Sequence, residues 1–282
     1  MHKCPLYSWV AWLSVSLALV LSSCGAHDGM TEPPSAPVPQ TPAQLGTSPL
    51  ALRVGIAPNY PPLAFKQQGH FTGLEVDFAR GLEVELGRRV ALVELAWEAL
   101  VPALESDTID VIMSGMSITE ARARQVWFVS HYLRVGQMAM FRKADRLLLS
   151  SPTLLTLTHQ RVGFVAETTG AAYVQGHLPQ AQYVPLGSTD AGLQALRAGE
   201  IDVFVHDAVT AWHLADDEAN AMLTSSFSPL TEEYLAWAVR HTDEALHRDL
   251  EAVLERWRRS GRLQELFYTW LKFRVGSHVQ GV

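Results

Sequence analysis

From Leu50 onward the chain alternates short apolar runs with stretches of helical period, and this alternation limits the folds open to it. Leu52 to Ile56 reads as a strand and is broken by Pro58, Pro61 and Pro62. After a turn at Phe71-Thr72-Gly73, a helix from about Glu75 to Leu86 places Leu74, Phe78, Leu82 and Leu86 on one face and stops at Gly87. Val90 to Leu95 is a strand, Ala99 to Glu105 a helix, and Ile109 to Met113 another strand. A second cycle starts near Ser151-Pro152, where Ser caps a helix and Pro occupies its first position. Strand Arg161 to Val165 follows, then a Thr168-Thr169-Gly170 turn with a helix to about Leu178, and strand Gln182 to Pro185. Ser188 caps a helix stopped by Gly199, ahead of strand Ile201 to Val205. A strand near Tyr234 to Arg240 precedes a long helix capped by Thr242, with Ala245, Leu246, Leu250, Val253, Leu254 and Trp257 on its apolar face and Gly261 as its stop. A last helix carries Leu263, Leu266, Phe267, Trp270 and Leu271. Strands separated by helices predict mainly parallel sheets, with ligands beyond the strands' carboxyl ends. Two cycles of one grammar predict two α/β lobes.

Chemistry concentrates in Val111 to Arg122, VIMSGMSITEAR. A buried strand runs into the hydroxyl-rich loop Ser114-Gly115-Met116-Ser117, and a short helix opens at Thr119. Unpaired N–H groups at a helix start favour an anion, and Arg122 lies one turn in, where it can grip a carboxylate with two parallel hydrogen bonds. Spacing alone leaves two readings open, an anion site or an ordinary strand–turn–helix connection.

The N-terminus has another composition. Lys3 precedes an uncharged apolar run from Leu6 to Leu21, then Ser22-Ser23-Cys24-Gly25. That is the layout of a secretory signal over residues 1–23; a transmembrane helix is the competing reading, for which the run is short and lacks a basic flank. Leu21-Ser22-Ser23-Cys24 also resembles the lipobox of bacterial lipoproteins, in which the cysteine becomes the lipidated first residue. Only Cys4 and Cys24 exist, and Cys4 leaves with the signal, so no thiol remains for a disulfide, a metal or a nucleophile. Residues 24–49 then form a tether, with Pro33, Pro34, Pro37, Pro39, Pro42 and Pro49 among small and polar side chains that cannot bury a core.

The formal charge of −7 and the lack of a basic stretch interleaved with aromatics argue against a nucleic-acid partner. No GxSxG, HExxH, GxGxxG or P-loop is present, and the 11 histidines show no metal-ligand spacing, so neither a cofactor nor a metal is expected.

The segments VGIAPNYPPLAF (54–65), FTGLEVDFA (71–79), WEALVPALESDTIDVIMSGMSITEAR (97–122), VGFVAETTGAAY (162–173) and LRAGEIDVFVHD (196–207), in this order, resemble the amino-acid-binding proteins of bacterial ABC importers, solute-binding family 3. The resemblance implies a two-lobed, type II periplasmic-binding-protein-like α/β fold with two hinge crossings. Lobe I would hold 50–135 and 232–276, lobe II 136–231, and 277–282 would be a tail. It further implies that Arg122 pairs with a ligand α-carboxylate and that Ser114, Gly115 and Ser117 bond the carboxylate and amine. Thr168 and Thr169 would reach the carboxylate from lobe II, Asp207 would take the α-ammonium, and Tyr60 and Trp97 would sandwich the ligand. Ala57 replaces an acid that contacts amines or basic side chains in many relatives, which points to a neutral or polar ligand. Glu167 replaces a common glycine and either faces solvent or reaches the cleft. His206 is open between packing and ligand contact, while Glu75 and Asp77 are expected to cap their helix and pair locally. The implied protein is a lipid-anchored, monomeric binding protein in the cell envelope that serves ABC permease subunits and is not an enzyme. A cyclohexadienyl-dehydratase-like enzyme and a sensing module acting in trans are the alternatives.

Overall fold

The computed structural model describes residues 51–271 except 150, 152–154, 157–158 and 216. The signal segment, Cys24, the tether, Pro152 of the expected helix start and the tail therefore lie outside the described residues.

Two five-stranded sheets organise the chain. In the first the order is Val90–Glu94, Leu52–Ile56, Val111–Ile112, Ala238–Val239, Trp127–Phe128. In the second it is Gln182–Leu186, Arg161–Val165, Val203–Asp207, Gln137–Arg142, Leu223–Ser225. Each begins with three parallel strands, Leu52 pairing Val90 and Val54 pairing Val111 in one, Arg161 pairing Gln182 and Val162 pairing Val203 in the other. An antiparallel strand extends each, Ala238 opposite Ile112 and Phe204 opposite Met140. The same mixed topology thus recurs, and it is the type II periplasmic-binding-protein-like α/β fold with two lobes.

Local chemistry explains most elements. Gly87, Gly199 and Gly261 end their helices in the left-handed conformation, which costs a residue without Cβ little. The helix Glu244–Ser260 buries Leu246, Leu250, Val253, Leu254 and Trp257, the stripe its sequence shows. Its cap is Asp243, not Thr242: the Asp243 carboxylate accepts from Leu246 N–H at 3.1 Å, and a charged acceptor at a helix start outcompetes a neutral hydroxyl. The expected strand Tyr234 to Arg240 is two pieces, because Glu233–Leu235 pairs with Leu133–Val135 while Ala238–Val239 joins the first sheet.

That Leu133–Val135/Glu233–Leu235 ribbon lies where the chain leaves the first sheet for the second and where it returns. Immediately after it, the chain passes so close to its return that a Cβ on Gly136 would lie 1.9 Å from Thr231 O. Gln137 N–H also donates to Thr231 Oγ1 at 2.8 Å. Only glycine permits this approach. Gly136→Ala is expected to lower unfolding stability by about 1–3 kcal/mol, the usual cost of overpacking; an unchanged denaturant midpoint would show that the crossings have room to spare.

Candidate functional site

The carboxyl ends of the parallel strands of both sheets face one cavity of about 360 Å³. Tyr60, Trp97, Ser114, Gly115, Ser117 and Arg122 line it from the first lobe, and Thr168, Thr169 and Asp207 from the second. Every candidate ligand-binding residue from the sequence therefore meets the same space, joined by Ala57, Asn59, Glu167, Thr189 and His206.

On the first-lobe side, Thr119 caps the helix Glu120–Ala123 by accepting from Arg122 N–H at 3.2 Å. This turns the Arg122 side chain back over the loop, where Nη1 donates to Ser117 O at 2.9 Å. The guanidinium carbon lies 5.0 Å from the centre of the Trp97 ring. Burial lowers the Arg122 pKa, and Asp207 and Glu233 partly offset this. No carboxylate among the described residues makes an ion pair with it. Trp97 thus packs on the arginine, a contact the expected aromatic sandwich did not include.

Gly115 has φ +66°, and a Cβ there would sit 2.4 Å from the Tyr60 ring, so glycine is required for both reasons. Its N–H is already committed to Glu75 Oε1 at 2.7 Å, and Ser114 Oγ accepts from Ala57 N–H at 3.0 Å. These two residues shape the loop, while Ser117 presents a side chain to the cavity.

Glu75 departs from expectation. It does not cap its helix: Gly73 is the N-cap, with no side-chain cap, and Glu75 is fully buried. Its carboxylate also accepts from Tyr132 Oη at 2.5 Å and Trp237 Nε1 at 3.1 Å. Asp77 stays near the surface and accepts from Arg80 and Trp270. Periodicity marks Glu75 as core-facing only if a carboxylate in a core is allowed, and three donors from distant segments are what allow it.

In the second lobe, Asp207 ends its strand and accepts from Gln137 Nε2 at 2.6 Å. Burial first, then the negative charge of Glu233, raise its pKa to about 7, against the nearby Tyr60 hydroxyl, the Gln137 hydrogen bond and the charge of Arg122. Tyr60 Oη lies beside Asp207 but is buried without hydrogen-bond geometry to any group. His206 is held neutral by burial, with its pKa lowered to about 4. Its Nδ1 accepts from Asp207 N–H at 2.8 Å, so Nε2 carries the proton and donates to Thr189 Oγ1 at 2.9 Å.

The lobes touch across the cleft. Thr189 Oγ1 donates to Asn59 O at 2.8 Å, and Thr210 Oγ1 to Pro61 O at 2.6 Å. Trp97 Nε1 and Arg122 Nη2 both donate to Glu167 O, at 3.1 and 3.4 Å. Glu167 has φ +59°, the region its glycine counterparts favour, and this turns its carbonyl into the cleft.

Sequence reasoning missed Glu233 and Gln137. Glu233 Oε2 accepts from Ser117 Oγ and Thr169 Oγ1, each at 2.7 Å, and Oε1 from Thr231 Oγ1 at 2.8 Å. No motif flags it; only the crossing of the chain beside the cleft brings it there. Among the described residues no group of three or more His, Cys, Asp or Glu side chains is placed to hold a metal ion.

A family model of bacterial extracellular solute-binding proteins, family 3, matches residues 52–273. The chain belongs to that family. This solute-binding protein is 30% identical to the histidine-binding periplasmic protein of Salmonella typhimurium, over 71% of each chain. It is 24% identical to the ABC transporter glutamine-binding protein of Bacillus subtilis, over 72% of this chain and 74% of the relative. Among solved structures it resembles an ancestral amino-acid-binding protein, a precursor of cyclohexadienyl dehydratase, with TM-score 0.74 and 29% identity, covering 79% of this chain and 96% of the other.

The Glu75 carboxyl supplies a pH test of the loop's support. Burial raises its pKa from 4.5 to about 7 despite the three hydrogen bonds. A raised folded-state value means stabilisation that is complete below pH 4.5 and lost as pH climbs through 7. Relative to Glu75→Gln, which has no such proton, the solute-binding protein should lose about 3 kcal/mol of unfolding stability across that window. Parallel pH profiles for the two proteins would contradict the buried acid.

Proposed function

We propose that the protein captures an amino acid between its lobes and delivers it to the permease subunits of an ABC importer. The observation that supports this most is the pairing of a mostly buried Arg122, free of any carboxylate partner, with Asp207 on the opposite wall of one cavity. A zwitterion satisfies both: its carboxylate supplies the missing counter-ion of Arg122, and its ammonium supplies that of Asp207. Unpaired N–H groups at the start of the helix Thr169–His177 offer further donors to the carboxylate. Ala57, buried and apolar on the cleft wall, supports a neutral or polar ligand side chain.

Lobe I comprises 50–135 and 232–276 in this reading and lobe II 136–231, with the ribbon at 133–135 and 233–235 as the hinge. Because ligand contacts come from both lobes, the ligand binds the closed state better and shifts the population toward it. The protein acts as a monomer, released from its signal at residue 23 and anchored to a membrane on the periplasmic side of the cell envelope by lipidated Cys24 and the proline-rich tether.

The ionisation of Asp207 favours a second reading, since a carboxyl that titrates near 7 suits general acid–base work and a solved relative is a precursor of cyclohexadienyl dehydratase. Incubation with prephenate or an amino acid separates the two by mass spectrometry: unchanged compound with thermal stabilisation supports the binder, and turnover supports the enzyme.

Two measurements test the binding reading. Arg122→Ala should weaken amino-acid binding by about 3–5 kcal/mol in calorimetry, because a buried charge loses its partner; undiminished affinity would refute the assignment. Below pH 7 the ammonium must displace a proton from Asp207, so affinity should fall by up to about tenfold per pH unit. A flat profile from pH 5 to 8 would exclude Asp207 as the ammonium's partner.

A further inference from the structure

Glu233 does not line the cavity, yet it controls two hydroxyls that do. A carboxylate can only accept, so Ser117 and Thr169 must each spend their single hydroxyl hydrogen on Glu233 Oε2. What Ser117 Oγ then turns to the cavity is lone pairs. Thr169 Oγ1 also accepts from Gln137 Nε2 at 3.0 Å, which leaves it one lone pair. Gln137 Nε2 in turn donates to Asp207, so Asp207, Gln137, Thr169, Glu233 and Ser117 form one hydrogen-bonded chain from the second lobe to the first. The part of the cavity that this hydrogen-bonded chain lines therefore presents acceptors from three side chains, the Asp207 carboxylate, Thr169 Oγ1 and Ser117 Oγ, with the Tyr60 hydroxyl beside Asp207.

We infer that Glu233 is a positioning residue that fixes the polarity of this part of the cavity, so that the cleft selects a primary ammonium over a hydroxyl or carbonyl at the same place on the ligand. An ammonium brings three N–H donors to three acceptors; a hydroxyl brings one, and a carbonyl none. Glu233 acts through Ser117 and Thr169 and leaves the grip on the carboxylate to Arg122. It also stands on the hinge ribbon with one hydroxyl from each lobe on the same oxygen, so the acceptor set is complete only when the lobes meet. This inference rests on the amino-acid reading above and adds to it the residue that enforces the amine.

The test is a selectivity ratio. Calorimetry on the wild-type protein is run with each of the twenty proteinogenic L-amino acids, then with the (S)-2-hydroxy acid that bears the side chain of the tightest one. Both compounds are then measured on Glu233→Gln. Its amide nitrogen can replace Oε2, which turns a hydroxyl's hydrogen toward the cavity, or Oε1, where it meets only Thr231 Oγ1. Glu233→Ala, which removes the acceptor of both cavity hydroxyls, is therefore measured beside it and is expected to shift the ratio in the same direction. The preference for amino acid over hydroxy acid should shrink by about tenfold or more, the worth of one charge-assisted hydrogen bond. Ser117→Ala should reduce the same ratio, and adding Glu233→Gln to it should reduce the ratio by less than the product of the single effects. A ratio that stays at the wild-type value, with both affinities unchanged or falling together, makes Glu233 a structural residue only and overturns the inference. If wild type binds none of the twenty, the amino-acid reading itself fails and takes this one with it.

Discussion

Arg122 is a partly buried cation that, among the described residues, makes no ion pair, and the proposed site is built around that deficit. A guanidinium taken out of water must be compensated, and here it has only the carbonyl oxygens of Ser117 and Glu167 and the face of Trp97. Those contacts orient the charge without neutralising it. Carbonyl dipoles and a ring quadrupole leave the site short of a full negative charge, which a carboxylate entering the cleft provides. Asp207 has the complementary problem on the other wall, where burial beside Glu233 makes its own ionisation costly. Under the proposed function, a small dipolar guest would meet both deficits at once, and neither lobe would meet them alone.

The scaffold keeps the two poles apart. Glu75 anchors the loop that carries Ser117 and Arg122 by holding Gly115 N–H, and is itself fixed by Tyr132 and Trp237 in the core of the first lobe. Gln137 and Glu233, on the two crossing segments, tie Asp207 to Thr169 and Thr169 to Ser117. The cavity-lining residues Ser117, Thr169 and Asp207 thus rest on Gln137 and Glu233, polar groups from the two segments that join the sheets.

Much of this was legible in the chain, for identifiable reasons. Strand Arg161–Val165 and the helix from Ser188 to Gly199 appear where capping and glycine signals place them, since each is a local property of the backbone. The strand Gln137–Arg142 escaped notice because it lies inside the sheet, buried along almost its whole length, and so shows no alternation. Trp127–Phe128 and Leu133–Val135 are too short to carry a period. Thr242 and Asp243 are adjacent capping residues, and only the hydrogen bond to Leu246 decides between them. That Arg122 and Asp207 would line one cavity was readable because each sits at a helix or strand end with a recognisable pattern. Glu233 and Glu75 were not, because the cavity-lining partners of Glu233 (Ser117 and Thr169) and all three partners of Glu75 lie at least forty residues away and only the fold joins them.

The most direct test of this account is the structure of the protein crystallised with the amino acid that stabilises it most in a thermal-shift screen. The account predicts the ligand carboxylate on the Arg122 guanidinium and its ammonium among Asp207, Ser117 and Thr169. A ligand bound in the reverse sense, or seated away from both charges, would contradict it.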